Sequence, residues 1–179
     1  MSQLFGTPAQ VGYVVKDIQK AMQHWIALGV GPWFYKELVD STEFNYYGKP
    51  SRIPKISIAL ANSGDVQIEL IQQRDDAPTL YLDSLAKNGE IAQHIAYWTK
   101  DRFDEFSEKF RSLGYVEGHS GRIGQGRGRY AYFLNPSFAS VMIELSECTG
   151  GKQEYFEMIK HAAAKWDGSD PIRYVGTRP

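Results

Sequence analysis

Four polar residues lie where short strands would bury them, and their types suit a metal site. Gln10 opens the stretch Gln-Val-Gly-Tyr-Val-Val, and His94 opens His-Ile-Ala-Tyr-Trp-Thr. Glu69 and Glu144 each sit at the centre of an Ile-Glu-Leu tripeptide. A carboxylate between apolar neighbours on a strand is costly to bury unless a partner or a cation offsets its charge. An amide oxygen, an imidazole and two carboxylates form an oxygen-rich set with one nitrogen. That set suits one divalent ion such as Zn, Ni, Co, Mn or Mg, and it lacks the thiolates of a structural zinc site. A metal with open positions polarises a carbonyl and stabilises the enolate left when a neighbouring C–H is lost. Glu144 first, and Glu69 second, are the carboxylates expected to take that proton.

The elements that must position these groups come in two copies. Ala9–Asp17 and Gln93–Asp101 align with Gln10 over His94, Tyr13 over Tyr97, Lys16 over Lys100 and Asp17 over Asp101. In the first half, 9–15 is a strand by its β-branched and aromatic content. Ile18, Ala21, Met22, Trp25 and Ile26 then recur at helical spacing behind Asp17, a capping residue. Strands follow at 33–39, 55–61 and 66–72, the last two joined by an Asn-Ser-Gly-Asp turn, while 40–52 reads as a polar loop or flap. The second half repeats the order: a strand at 92–99, a helix with Phe103, Phe106, Phe110 and Leu113 on one face, a strand from 115, and a closing pair at 129–136 and 140–147 with a turn at Asn135-Pro136-Ser137. The period is close to half the chain, as expected of an internal duplication. Alternation along a strand puts Gln10 with Gly12, and His94 with Ala96, on one face. Gly12 and Ala96 are small enough to leave room for a substrate. The expected organisation is a first module over 1–75, a linker over 76–90 with a short helix near Leu80–Ala86, a second module over 91–147, and a C-terminal helix and tail over 148–179.

Composition narrows the partners. The chain has 179 residues with 20 Lys and Arg against 21 Asp and Glu, a balance that offers nothing to nucleic acid or to an anionic membrane. No apolar run reaches the length of a membrane span, and the first residues lack the pattern of a signal peptide. Cys148 is the one cysteine, so no internal disulfide forms, and a cytoplasmic protein is expected. Phe156, Ile159, Ala163 and Trp166 give the C-terminal helix one apolar face. That face, and the need of curled sheets to cover their edges, lead us to expect a homodimer.

The layout resembles the vicinal oxygen chelate superfamily, which includes glyoxalase I, methylmalonyl-CoA epimerase, extradiol dioxygenases, and fosfomycin and bleomycin resistance proteins. The resemblance spans residues 8–147 and rests on Gln10–Asp17, Ile68–Gln72, Gln93–Asp101 and Tyr132–Glu147. It implies an α+β fold in which two tandem βαβββ modules form a curled mixed-sheet cup around one metal, here followed by a C-terminal helix. It places the metal ligands at the first-strand residue and last-strand Glu of each module: Gln10, Glu69, His94 and Glu144. A Gln with Glu, His and Glu is similar to one branch of glyoxalase I. The turn that is often Asp-Pro-Asp-Gly in the family is Asn135-Pro136-Ser137-Phe138 here. The implied activity is that of a lyase, isomerase or epimerase acting on a small carbonyl or thioester compound. Two alternatives stand beside it. An iron extradiol dioxygenase needs two His and one carboxylate, and only His94 is in place. A protein that binds a small molecule without catalysis would keep the cup but would not need the ligands. Candidate substrate contacts are Trp33, Tyr35 and Trp98 as apolar walls, and His119, Arg122, Arg127 and Arg129 in or near a Gly/Arg-rich stretch over 118–129, where an arginine would meet a substrate carboxylate or phosphate. That stretch reads as a hairpin between two strands or as a mobile flap.

Overall fold

The protein is described by a computed structural model covering residues 2–137 and 141–176. The turn residue Phe138 and the start of the strand expected from 140 lie outside the described residues. In chain order the elements are β1 (Gln10–Val14), α1 (Ile18–Ala27), β2 (Trp33–Lys36), β3 (Ser41–Tyr46), β4 (Lys49–Pro50), β5 (Ile56–Ser63), β6 (Val66–Gln73) and α2 (Leu80–Asn88). Then follow β7 (Ala92–Thr99), α3 (Phe103–Ser112), β8 (Val116–Ile123), β9 (Arg129–Leu134), β10 (Met142–Glu147), α4 (Lys152–Ala164) and β11 (Ile172–Tyr174).

The strands form one mixed sheet, not closed into a barrel, in the order β11-β2-β5-β6-β1-β7-β10-β9-β8-β3-β4. Its centre is symmetric. β1 runs parallel to β6 in the first copy, as β7 does to β10 in the second, and β1 and β7 meet antiparallel. Within one chain, therefore, β2-β5-β6-β1 mirrors β8-β9-β10-β7 about the β1–β7 seam. Each module carries its helix on the outer face. Asp17 caps α1 by accepting a hydrogen bond from the Lys20 amide at 3.1 Å, and Ile18 and Met22 turn inward to Trp33, Tyr35 and Leu70. On the other side Phe103, Phe106 and Phe110 of α3 pack on Phe133 and Leu145. Because outward positions on the strands face these helices, the alternate positions line the inside of the cup.

The inside is covered from two directions. α2, β3 and the tyrosines of β9 bring Leu80, Tyr81, Phe44, Tyr130 and Tyr132 over Val14 and Ile71. α4 brings Phe156 and Ile159 over Phe34 and Leu60. The polar stretch 40–52, expected as a loop, is mostly the hairpin β3–β4, and β3 crosses the cup to pair with β8 of the other module. Its polarity reflects exposure: Thr42, left over at a bulge against β8, and Glu43 are exposed while Phe44 is buried. Its turn puts Tyr47 and Gly48 at positive φ, 46° and 73°, as a two-residue hairpin requires. β3 thus covers the edge of β8, and β11 covers that of β2. The apolar face of α4 is spent on β5 and its neighbours. β4 and β11 are then the outermost strands of the sheet.

Ile159 is fully buried between α4 and the sheet. Ile159→Ala is expected to lower unfolding stability by about 2–4 kcal/mol, the cost of a partly relaxed cavity, with the far-UV circular dichroism of the native state retained. Urea titration checks it; a loss below about 0.5 kcal/mol would show that α4 does not dock on β5 as described.

Candidate metal centre

Two rows of cross-strand neighbours run across the floor of the cup. In one, Leu60, Glu69, Gly12, His94 and Met142 lie side by side on β5, β6, β1, β7 and β10. In the other, Asn62, Gln67, Gln10, Ala96, Glu144 and Tyr132 do so, ending at β9. Each glutamate therefore neighbours a small residue, Gly12 or Ala96, and the longer Gln10 and His94 stand diagonally across the seam. Glu69, His94 and Glu144 converge. The His94 Nε2 lies 3.3 Å from a Glu69 oxygen and 3.2 Å from a Glu144 oxygen, and one ligand atom from each residue lies within 4.8 Å of the others.

Gly12 makes the convergence possible. A Cβ there would stand 1.8 Å from the His94 Cε1. The room expected for a substrate above Gly12 is taken by the imidazole, because antiparallel pairing sets His94 directly opposite Gly12. A bulge in β7 completes the support. Gly12 pairs with His94 and Tyr13 with Ala92, so Gln93 is left over. Its buried amide donates to the Leu80 carbonyl at 2.9 Å, which leaves its oxygen 3.1 Å from the His94 Nδ1. With Nδ1–H donating to Gln93, the Nε2 is the nitrogen turned to the two carboxylates.

That arrangement is incomplete as drawn by protein atoms alone. His94 Nε2 and the Glu144 Oε2 are buried and have no hydrogen-bond partner among the described residues. An imidazole nitrogen between two carboxylates is held by a proton on that nitrogen or by a shared cation, and the three convergent ligand atoms fit a divalent ion. Gln10 lines the same cleft. Its amide N–H donates to Gln67 at 2.8 Å, so its oxygen is the free end. The electrostatics have the same origin. Burial works against a charged His94, but Glu144 and Glu69 outweigh it and raise its pKa to about 9. Burial likewise opposes the Glu144 carboxylate, yet His94 holds its pKa down at about 2, whereas burial keeps that of Glu69 raised.

The cleft above this cluster encloses about 960 Å³, its open mouth included. Of the substrate contacts expected from sequence, Arg127 lines it and the others do not. Trp33 and Tyr35 face outward under α1, with the Trp33 indole donating to the Val30 carbonyl at 3.0 Å. Alternation instead turns Phe34 and Lys36 inward, a shift of one residue in the strand's parity. Trp98 packs against Phe156 at 4.5 Å and borders a separate hollow beside Cys148. Arg122 lies outside, 3.4 Å from Glu43. Arg129 bridges Asp104 and Glu147 over the Phe103 ring. The stretch 118–129 is mainly the hairpin strands β8 and β9, and its tip is held at Gly126, whose carbonyl accepts from the Thr149 hydroxyl at 2.9 Å. His119 is buried among Phe44, Tyr81 and Tyr132, with its Nδ1 accepting from the Leu80 amide at 3.3 Å. The cleft residues that sequence reading passed over include Tyr81, Tyr130 and Tyr132 near the carboxylates, and Lys152, Tyr155 and Phe156 of α4. The alternation of Tyr130 and Tyr132 on one strand was the available signal for two of them.

The comparisons agree with this fold. The profile of the Glyoxalase/Bleomycin resistance protein/Dioxygenase superfamily matches residues 9–133. The chain belongs to this superfamily. Among solved structures it is similar to methylmalonyl-CoA epimerase from Mycobacterium tuberculosis, with a TM-score of 0.55 and 21% identity over 83% of this chain and 92% of that one. It is similar to a hypothetical protein from Bacillus halodurans C-125, with a TM-score of 0.56 and 18% identity over 80% and 94% of the two chains. A selenomethionyl methylmalonyl-CoA epimerase matches with a TM-score of 0.50 and 17% identity over 83% and 99%. No curated protein sequence matches. At these identities the likeness is one of fold. Among the described residues no helix is long and apolar enough to cross a membrane.

Two outcomes follow from the packing. Gly12→Val should displace the His94 ring while the sheet still forms, lowering affinity for added Zn by at least about 100-fold in a competition titration with a chelating dye; unchanged affinity would mean that His94 does not lie over Gly12. His119 is buried neutral, with its pKa lowered by desolvation to about 3 from 6.5. Between these values the unfolded chain binds a proton that the folded chain does not, so stability falls as pH drops, by up to about 1.4 kcal/mol per pH unit from this group. His119→Asn should flatten the slope of unfolding free energy against pH between 6 and 4 by about one proton's worth, measured by urea titration.

Proposed function

We propose that this protein is a metal-dependent lyase or isomerase of the glyoxalase and epimerase type, acting on a small carbonyl or thioester compound. The observation that carries the reading is the convergence of the buried His94 Nε2 with one oxygen each of Glu69 and Glu144, 3.3 and 3.2 Å away, while the other ring nitrogen is held by Gln93. The likeness of fold to a methylmalonyl-CoA epimerase supports it. Gln10, Glu69, His94 and Glu144 would hold the ion. Bound there, a divalent ion supplies Lewis acidity to a substrate carbonyl oxygen. The chain's own residues do the rest. Glu69 and Glu144 come from opposite modules and flank one point at the floor of the cleft, so each can reach one face of a carbon held between them. Glu144 takes the proton first in this reading, and Glu69 is the partner on the other face. The apolar walls, Ile58, Leu60 and Ile71 among them, keep water from the carbon while the proton is held. With His94 alone as imidazole in the cluster, the two-histidine set of an extradiol dioxygenase is not met among the described residues.

Metal content decides first. Native protein purified without an affinity tag is expected to carry about one divalent ion per chain, and the His94→Ala/Glu144→Ala variant none. A screen of thioesters and hemithioacetals for solvent deuterium at carbon should then find a substrate, and Glu144→Gln should lower its exchange by about 1,000-fold or more with the fold intact. No ion after addition of Zn, Ni, Co and Mn would sink the reading and favour a binding protein of the same fold.

A further inference from the structure

The superfamily match ends at residue 133, yet the cleft has a wall built beyond it. Lys152, Tyr155 and Phe156 of α4, and Val175 after β11, all face the space above Glu69 and Glu144. Lys152 is placed oddly for a structural lysine. It is the first residue of a 13-residue helix, where the positive end of the helix dipole disfavours a cation. Its Nζ donates to the Ser146 hydroxyl at 2.6 Å and lies 5.7 Å from the centre of the Phe156 ring, but it makes no ion pair among the described residues. Arg127, in the β8–β9 tip that meets Thr149 just before α4, also has no carboxylate within ion-pair distance among the described residues, and its charge is felt at Asp40 and at Tyr155, one helical turn from Lys152. The third cation of the cleft, Lys36, is paired with Asp40 at 2.8 Å.

We propose that Lys152 and Arg127 form a receptor for an organic anion, and that the ligand of this cleft has an apolar body ended by a carboxylate held at the α4 wall, apart from the carbon that reacts. The charge balance of the cleft rests on the metal reading above: a divalent ion neutralises Glu69 and Glu144, Asp40 neutralises Lys36, and the charges of Lys152 and Arg127 are left over. An apolar surface around two uncompensated cations favours an anion with a hydrophobic tail, since charge-assisted hydrogen bonds strengthen where water is displaced. Ser146 holds the ammonium group in place. It stands two residues along β10 from Glu144, on the same face, so the anion site and the proposed reaction site are built from one strand.

Calorimetric titration with octanoate and with octanamide, its uncharged counterpart, tests the proposal on full-length protein, both Zn-loaded and stripped with a chelator. Octanoate should bind about tenfold or more tightly than octanamide in both states. Lys152→Gln/Arg127→Gln should bring the two affinities together, and Lys152→Arg should keep most of the preference. Equal affinities in the native protein would overturn the proposal. A preference that survives in the double variant but vanishes on stripping would also overturn it, by placing the carboxylate on the metal, and would leave the metal reading standing. A preference lost in the double variant but present in metal-free protein would uphold the anion site even if that reading failed. Circular dichroism and Zn content of the variants separate a lost receptor from a lost fold.

Discussion

The missing side chain of Gly12 is the constraint on which the site depends. Two strands from the two modules meet antiparallel at the centre of the sheet, and their registration puts His94 opposite Gly12. Only a hydrogen at that position lets the imidazole lie down across the neighbouring strand toward Glu69 while remaining within reach of Glu144. With any larger residue the ring would have to stand up into the cleft, and the two glutamates would face each other with nothing between them. Two buried carboxylates at that spacing repel unless a proton or a cation intervenes.

The cluster also depends on elements far from it in sequence. Leu80, the first residue of α2, donates its amide to His119 and accepts at its carbonyl from Gln93, which in turn orients His94. The segment expected to be a linker therefore does more than join two modules: it sets the tautomer of the central histidine. The bulge in β7 makes this possible, because an extra residue there turns Gln93 to the side of His94 instead of the opposite face. Gln10 gets its orientation differently, from the amide of its neighbour Gln67. The two halves of the duplication thus reach the same floor with different means of support, as their different residues at the equivalent position require.

Much of this was legible in the sequence, and the parts that were not share a cause. The period-2 pattern and the repeated Ile-Glu-Leu pointed to Gln10, Glu69, His94 and Glu144 because each is a costly residue in an apolar strand, and a costly residue stands out. Trp33 and Tyr35 do not stand out. An aromatic residue on a four-residue strand fits a core or a pocket equally well, and only the tertiary position of α1 shows which face is buried. The hairpin over 41–50 hid behind its own polarity, since its pairing partner β8 lies some eighty residues away. Lys152 had no local signal: a lysine near a helix start is ordinary until the strand beneath it is known to carry Glu144 and Ser146.

The way the cup is covered explains why the cleft is lopsided although the sheet is symmetric. On one side, α2, β3 and the β9 tyrosines close down on the floor and leave rings with hydroxyl groups near Glu144, among them Tyr81 and Tyr132 with their oxygens 3.1 Å apart. On the other, the cover is α4, which arrives from the far end of the chain and packs on Phe34 and Leu60. The opening lies between them, walled by Tyr155 and Phe156 on one side and Ile123 and Tyr130 on the other. A duplicated sheet by itself offers a ligand two equivalent ways to enter. The two unlike covers break that equivalence: tyrosine hydroxyls come from one and the Lys152 ammonium group from the other. What a ligand meets beside the four polar positions of the floor is therefore set by the segments laid over it, none of which belongs to the β1–β7 seam that holds the floor together.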